Sequence, residues 1–348
     1  MLGGTGRTGR DVAARLVATG LPVVLVGRDG DRLQAAAASL AGDVRTVVAP
    51  DLDGMVAAVR AQRPSVVVNT VGPFARTAGP LAAACLPAGS YLDLANDVVA
   101  ATAVLDLHAA ALAAGRTLVT GAGFGVVATE APVVALLRDR PTPRVVRVDA
   151  VPSLALEQGL MGEAFAATII EGLPEGGRRV ARGRLVRAGV GSRPLRLALP
   201  DGTEVVTGAW PAGDLLAAAR TSGAPEVLAA TSEVPTGRLL RAVVPVAGPL
   251  LRIAPLRRLA TRRLAALPLT ARPMPRTHSW GRAWAEWPDG TTQEAWLRTG
   301  DAGAFTAGVA AAVAARLLRG AAEPGAHTPV AAVGLDLVEE SGATLLPR

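Results

Sequence analysis

Gly4-Thr5-Gly6-Arg7-Thr8-Gly9 carries the spacing G-x-G-x-x-G just ahead of a helical stretch, Arg10 to Ala18. Glycines so placed let the backbone turn tightly and approach a diphosphate, whose charge meets unpaired N–H groups at the positive end of the helix. Alone the pattern is weak, but a strand, Val23 to Val26, follows at the distance a dinucleotide needs and ends on Gly27-Arg28-Asp29. A carboxylate at that tip accepts from a ribose 2′-hydroxyl, whereas a guanidinium meets a 2′-phosphate. Arg28 therefore favours NADP(H) over NAD, while Asp29 keeps the alternative open. Asp51 either faces the adenine edge or caps the helix that begins at Leu52. Asn69, Val71 and Gly72, in Asn69-Thr70-Val71-Gly72-Pro73-Phe74, follow a strand whose carboxyl end lies where dinucleotides bind. Tyr91 and Asp93 alternate on the next strand and so share a face. As a phenol beside a carboxylate near a strand's end they are the acid–base candidates, against a purely hydrogen-bonded structural role.

Composition removes many rival chemistries. All 36 basic residues are Arg, so nothing that needs a lysine applies: Schiff-base catalysis, a Walker A loop, a kinase core, or the Tyr-x-x-x-Lys pair of short-chain dehydrogenases. There is one tyrosine, and one cysteine, Cys85, which excludes an intrachain disulfide and a cysteine metal cluster. The three histidines, His108, His278 and His327, are scattered over a helix, a strand entry and a loop, and no metal site is expected. The opening residues do not read as a signal peptide and no apolar stretch reaches the ~20 residues of a membrane span, so a cytoplasmic setting is expected.

A net charge of +7 raises the question of polyanionic partners. Arginines cluster from Arg178 to Arg196 and from Arg252 to Arg276 without interleaved stacking aromatics, so nucleic-acid binding is not expected. The plain reading is a solvated surface. The alternative is peripheral membrane contact through residues 250–276, where Leu250, Leu251, Leu256, Leu259 and Leu264 mingle with Arg257, Arg258, Arg262 and Arg263.

The elements that must hold these residues alternate, apolar run with helix, over the first 130 residues, which predicts an α/β, Rossmann-type doubly wound parallel sheet. Its strands are Val23 to Val26, Thr46 to Ala49, Val66 to Asn69, Tyr91 to Leu94 and Thr117 to Thr120. Only Met1 and Leu2 precede the glycines, so the central strand is badly shortened or begins upstream of this chain. After Ala131 two Asp-Gly turns, Asp201-Gly202 and Asp289-Gly290, sit between alternating runs and predict antiparallel hairpins. Trp280 and Trp284 share a face of the second hairpin and are expected to pack a helix onto the sheet, the alternative being that they line a substrate pocket. The Pro-rich stretch from Pro235 to Pro275 is poorly legible, and Ala302 to Leu318 reads as a long helix. The expected organisation is a nucleotide domain, 1–131, completed by helices in 302–348, with an inserted α+β substrate and dimerisation domain, 132–301, containing an antiparallel sheet.

Several segments together resemble the saccharopine dehydrogenase-like oxidoreductases, including their bacterial trans-acting enoyl reductase branch. These are Gly3-Gly4-Thr5-Gly6-Arg7-Thr8-Gly9, the run from Asn69-Thr70-Val71-Gly72-Pro73-Phe74 to Tyr91-Leu92-Asp93-Leu94, Gly123-Phe124-Gly125, and Phe305-Thr306-Ala307 with Thr328-Pro329. The resemblance implies an NADP-binding Rossmann domain, a discontinuous α+β domain and hydride transfer. Two departures, Asn96-Asp97 and Ala128-Thr129-Glu130, fall where relatives often read Gly-Glu and Pro-x-Asp. The expected function is NADP(H)-dependent reduction of a C=C, C=N or C=O bond in a small-molecule or acyl, lipid-like substrate. The alternative is a non-catalytic NADP-binding regulator or accessory subunit of a larger lipid-synthesis enzyme.

Overall fold

The computed structural model describes residues 1–155, 159–160, 166, 170, 176–234, 237, 248–270 and 273–347. Much of the Pro-rich stretch that begins at Pro235 therefore lies outside the described residues. The chain divides into two compact units, Met1–Phe124 with Gly303–Gly342, and Gly125–Ala302 with Ala343–Arg348.

Unit 1 opens with helix α1 (Arg7–Ala18) and then alternates β1 (Val23–Gly27), α2 (Gly30–Ala38), β2 (Val44–Val48), α3 (Leu52–Gln62), β3 (Val66–Asn69), α4 (Phe74–Cys85) and β4 (Ser90–Asp93). Next come α5 (Val98–Leu105), α6 (His108–Ala114) and β5 (Thr117–Val119). The expected single helix from Ala101 to Ala114 is thus two. Strands β3, β4 and β5 are short apolar runs, almost wholly buried, as parallel strands covered on both faces must be. The β3–β4–β5 ladder is parallel, as is β1 with β2.

Those two sheets are joined at Leu2. Its N–H donates to the Val68 carbonyl (2.8 Å) and its own carbonyl accepts from Thr70 N–H (3.0 Å). On the other side Val26 N–H donates to the Met1 carbonyl (2.8 Å), and Gly3 N–H to that of Val26 (3.1 Å). Leu2 makes parallel bridges to Val26 and to Asn69. A cavity of about 440 Å³ is lined by Val23, Val24, Val66 and Val68 among others.

Unit 2 contains α7 (Phe124–Leu137), which starts on the last residue of unit 1, and then β6 (Val145–Val151), β7 (Gly159–Leu160), β8 (Gly177–Ala181) and β9 (Arg184–Ala188). Hairpin β10 (Leu195–Ala198) and β11 (Glu204–Ala209), α8 (Gly213–Ser222), β12 (Glu226–Thr231), α9 (Ala254–Ala265) and β13 (Pro268–Leu269) follow. Hairpin β14 (Ser279–Glu286) and β15 (Thr292–Thr299) completes the inner strands, and α10 (Ala302–Leu318) leads back into unit 1. Both Asp-Gly hairpins form with antiparallel register. They belong to one mixed sheet whose path runs β10-β11-β12-β6-β14-β15, with only β12 and β6 parallel along it.

Two expectations are corrected here. Trp280 is 2% exposed, but it packs with Trp296, Leu197 and Leu199 and donates from its indole to Asp201 (3.2 Å), so it holds a hairpin rather than a helix to the sheet. The chain end does not stay with the closing elements of unit 1, which are β16 (Gly325–His327), α11 (Pro329–Val333) and α12 (Leu337–Glu340). Its last strand, β17 (Thr344–Pro347), pairs antiparallel with β15, satisfying the outer edge of the unit 2 sheet.

Candidate functional site

The Gly4–Gly9 loop leaves the carboxyl end of the abbreviated central strand, between β1 and β3, and turns directly into α1. Gly6 is the N-cap of that helix; no side chain caps it and its first turn holds no acidic residue. The Gly6 N–H donates to the Gly3 carbonyl (3.1 Å), and among the described residues no side chain meets the N–H groups that follow it, the arrangement that binds an anion.

The glycines play different parts. A Cβ on Gly9 would lie 2.2 Å from the Gly3 carbonyl oxygen, so that glycine lets the helix pack onto the loop. A Cβ on Gly6 meets only that same oxygen, at 3.5 Å, an ordinary contact. Nothing in the interior requires glycine at position 6, whereas a diphosphate lying against the backbone there does. The loop thus fits a dinucleotide on its own geometry.

Arg28 is exposed at the tip of β1 and makes no hydrogen bond or ion pair among the described residues. Asp29, its rival, is occupied: its carboxylate caps α2 by accepting from Arg32 N–H (3.0 Å). The sequence reading overlooked Arg32. Its guanidinium reaches back to the Thr5 carbonyl (3.5 Å), so Arg32 stands beside the glycine loop, while Arg28 directly follows β1, whose Val26 pairs with Gly3. Their i, i+4 spacing across a strand tip and a helix start was the available signal. Asp51 is exposed and caps α3 through Gly54 N–H (2.8 Å), the alternative left open for it.

Asn69, Tyr91 and Asp93 come together, but away from solvent: each is 0% exposed. The Tyr91 hydroxyl donates to Asp93 Oδ2 (3.0 Å) and accepts from Asn69 Nδ2 (3.0 Å). Asn69 Oδ1 accepts from Val71 N–H (2.9 Å), and the Thr77 hydroxyl donates to the Val71 carbonyl (2.6 Å), which fixes Val71 and Gly72 after β3. Asp93 Oδ1 accepts from Ala95 N–H, the Thr120 hydroxyl and Gly121 N–H, each at 3.0 Å. The network thus ties together the loops leaving β3, β4 and β5. Burial pushes the Asp93 carboxyl up to about 6 despite those donors, and pushes the Tyr91 phenol well above its ordinary range. Tyr91 and Asp93 are thus enclosed and bonded to one another, the hydrogen-bonded arrangement that was the alternative to acid–base work. Periodicity placed them on one face; in a parallel sheet both faces are covered, which periodicity does not reveal.

Of the departures from the family pattern, Asp97 caps α5 through Ala100 N–H (2.7 Å), while Thr129 and Glu130 are wholly buried in α7. Unit 2 holds a second polar cluster, with Asp149 accepting from Arg147 Nε (3.0 Å), Arg282 Nη1 (3.2 Å) and the Thr207 hydroxyl (2.7 Å). Among the described residues no group of His, Cys, Asp and Glu could hold a metal ion, and no helix is long and apolar enough to cross a membrane.

No family model matches the chain. Trans-acting enoyl reductases from Mycobacterium tuberculosis and Mycobacterium leprae are 31% and 32% identical to it over 145 residues, 40% of this chain and 35% of each relative. The one from Mycobacterium ulcerans is 34% identical over 136 residues, 38% of this chain and 32% of its own length. The chain thus spans about a third of the length of the curated relatives it matches. Among solved structures, saccharopine dehydrogenase (L-Glu forming) from Saccharomyces cerevisiae superposes with a TM-score of 0.59 at 11% identity, covering 100% of this chain and 98% of that one. The chain therefore has the saccharopine dehydrogenase fold, and part of it is homologous to the trans-acting enoyl reductases.

Proposed function

We propose that this chain is an NADP(H)-dependent oxidoreductase that reduces a C=C, C=N or C=O bond in an acyl or lipid-like substrate, acting in the cytoplasm. The observation that carries this reading is the start of α1, uncapped by any side chain, behind an open Gly6, with the Arg32 guanidinium at the Thr5 carbonyl and Arg28 exposed at the tip of β1. The loop amides would hold the diphosphate, Arg28 with Arg32 the 2′-phosphate, and the Val71-Gly72 loop would bound the nicotinamide side. The bound cofactor supplies the hydride; the protein supplies orientation and electrostatics. The buried Asn69–Tyr91–Asp93 network holds those loops still and does not itself touch substrate. Among the three bond types, the names of the mycobacterial relatives favour C=C.

Calorimetric titration tests the cofactor assignment. NADPH is expected to bind tighter than NADH, and Arg28→Ala to weaken NADPH by about ten- to a hundredfold, from ~1.5–3 kcal/mol of lost charged hydrogen bonding, with NADH unchanged. Heat from neither dinucleotide refutes the assignment. Loss of NADPH absorbance on adding enoyl thioesters, imines and ketones then tests the activity. Burial of the phenol favours one second reading, a non-catalytic NADP-binding accessory subunit, for which NADPH binds but nothing in that panel turns over.

A further inference from the structure

Between Glu233 and Glu286 the chain carries ten arginines and no acidic residue. Helix α9 lies in the middle of this stretch, preceded by a 3-10 turn, Gly248–Arg252. None of its residues is buried. A helix normally draws its stability from an apolar face packed against the rest of the protein. Here the large apolar side chains point the other way: Leu250, Ile253, Leu256, Leu259 and Leu267 are between 42% and 54% exposed.

Arginine shares that outward face. At 100° per residue, Arg263 falls between Leu256 and Leu259, with Arg262 beside Leu259 and Arg258 next to Arg262 on the flank. All three are exposed, as is Arg252. Arg262 and Arg263 have no ion-pair partner among the described residues, and Arg258 donates only to the Ala254 carbonyl of its own helix (3.4 Å). Like charges at i, i+4, as in Arg258 and Arg262, repel one another. No acidic side chain on the helix offsets them, so among the described residues both the exposed leucines and the repelling guanidinium groups lack a counterpart. One surface answers both. A bilayer with anionic headgroups takes leucine into its interface and neutralises the arginines, whose aliphatic stems let the charge stay at headgroup level. An acidic protein would neutralise the arginines without requiring leucines among them.

We infer that this face is a membrane-docking surface, with α9 lying in the plane of an anionic bilayer. The expectation for 250–276 is thus narrowed to 250–267, since 271–272 lie outside the described residues. The inference stands independently of the oxidoreductase reading, because it uses no residue of the cofactor site.

The test is cosedimentation of the full chain with vesicles of phosphatidylcholine alone or mixed with phosphatidylglycerol. Binding is expected only to the anionic vesicles and is expected to fade between 0.1 and 0.5 M NaCl, as screening demands. Each arginine near the surface contributes on the order of fivefold, so Arg262→Gln with Arg263→Gln should weaken binding about 25-fold. Leu256→Ser with Leu259→Ser should weaken it comparably while leaving the charge intact. All four positions are exposed, and an unchanged melting temperature confirms folding. Equal binding to both vesicle types, or none to either, overturns the inference. So does displacement by millimolar glycerol phosphate, which would mark a headgroup pocket. Binding to polyglutamate that matches vesicle binding and ignores the leucine changes would mark an acidic protein partner and overturns it too. The salt series on the unaltered chain needs no variant.

Discussion

Asp214 offers a sharp check on how unit 2 is held together. It sits in the first turn of α8, 2% exposed, and its Oδ1 has no hydrogen-bond partner among the described residues. Burial pushes its carboxyl from 3.8 up to about 8; the N–H of Leu215 opposes this, and the charge of nearby Asp149 adds to it. The folded state therefore holds the proton more tightly than the unfolded chain does. Stability must fall as pH rises between about 4 and about 8, with a slope of ~1.4 kcal/mol per pH unit for one proton. Below that window the penalty is absent, and above it the penalty is constant. Between pH 5 and 7 unit 2 is expected to lose about 3 kcal/mol through this residue. Asp214→Asn keeps the shape without the charge and should remove that slope, so that the variant exceeds the parent in stability at pH 8. Urea unfolding followed by tryptophan fluorescence reads the correct unit, because Trp210, Trp280, Trp284, Trp287 and Trp296 all lie in it. Subtracting the variant's profile from the parent's cancels the other titrating groups. A difference that does not change with pH refutes the reasoning.

Gly6→Ala and Gly9→Ala should behave differently despite their shared motif. With its Cβ in ordinary contact, Gly6→Ala should leave unfolding within ~0.5 kcal/mol of the parent yet weaken NADPH at least tenfold, whereas Gly9→Ala should also lower unit 1 stability, by roughly 2–3 kcal/mol. Calorimetry and urea unfolding by circular dichroism distinguish them. Tyr91→Phe strips a donor from Asp93 and an acceptor from Asn69 and should cost about 1–3 kcal/mol of unfolding free energy. Turnover abolished with stability unmoved would instead make Tyr91 a proton donor. Cys85, 2% exposed with its thiol pushed up to about 12 by burial, should resist a disulfide reagent until the chain unfolds; rapid labelling of the folded chain would contradict that burial.

What could be read in advance was local. Apolar runs at the spacing of a βα repeat located β1, β3, β4 and β5, and two Asp-Gly pairs located both hairpins, because turn chemistry and periodicity act over a few residues. The glycine loop and Arg28 were legible for the same reason, since a loop, a helix start and a strand tip within about 25 residues define that corner. Partners distant in sequence were not legible. That residues 1–3 join two sheet halves depends on Val26 and Val68 lying either side of Leu2, and that β17 leaves unit 1 depends on an open edge at β15. Nor does alternation tell a cleft face from a core face, so for Tyr91 and Asp93 spacing left both acid–base work and a hydrogen-bonded structural role open, and the enclosure of the pair is visible only in the fold. Residue spacing determines which side chains share a face; only tertiary packing decides what lies opposite it, and with it whether a polar group meets solvent, ligand or another buried partner.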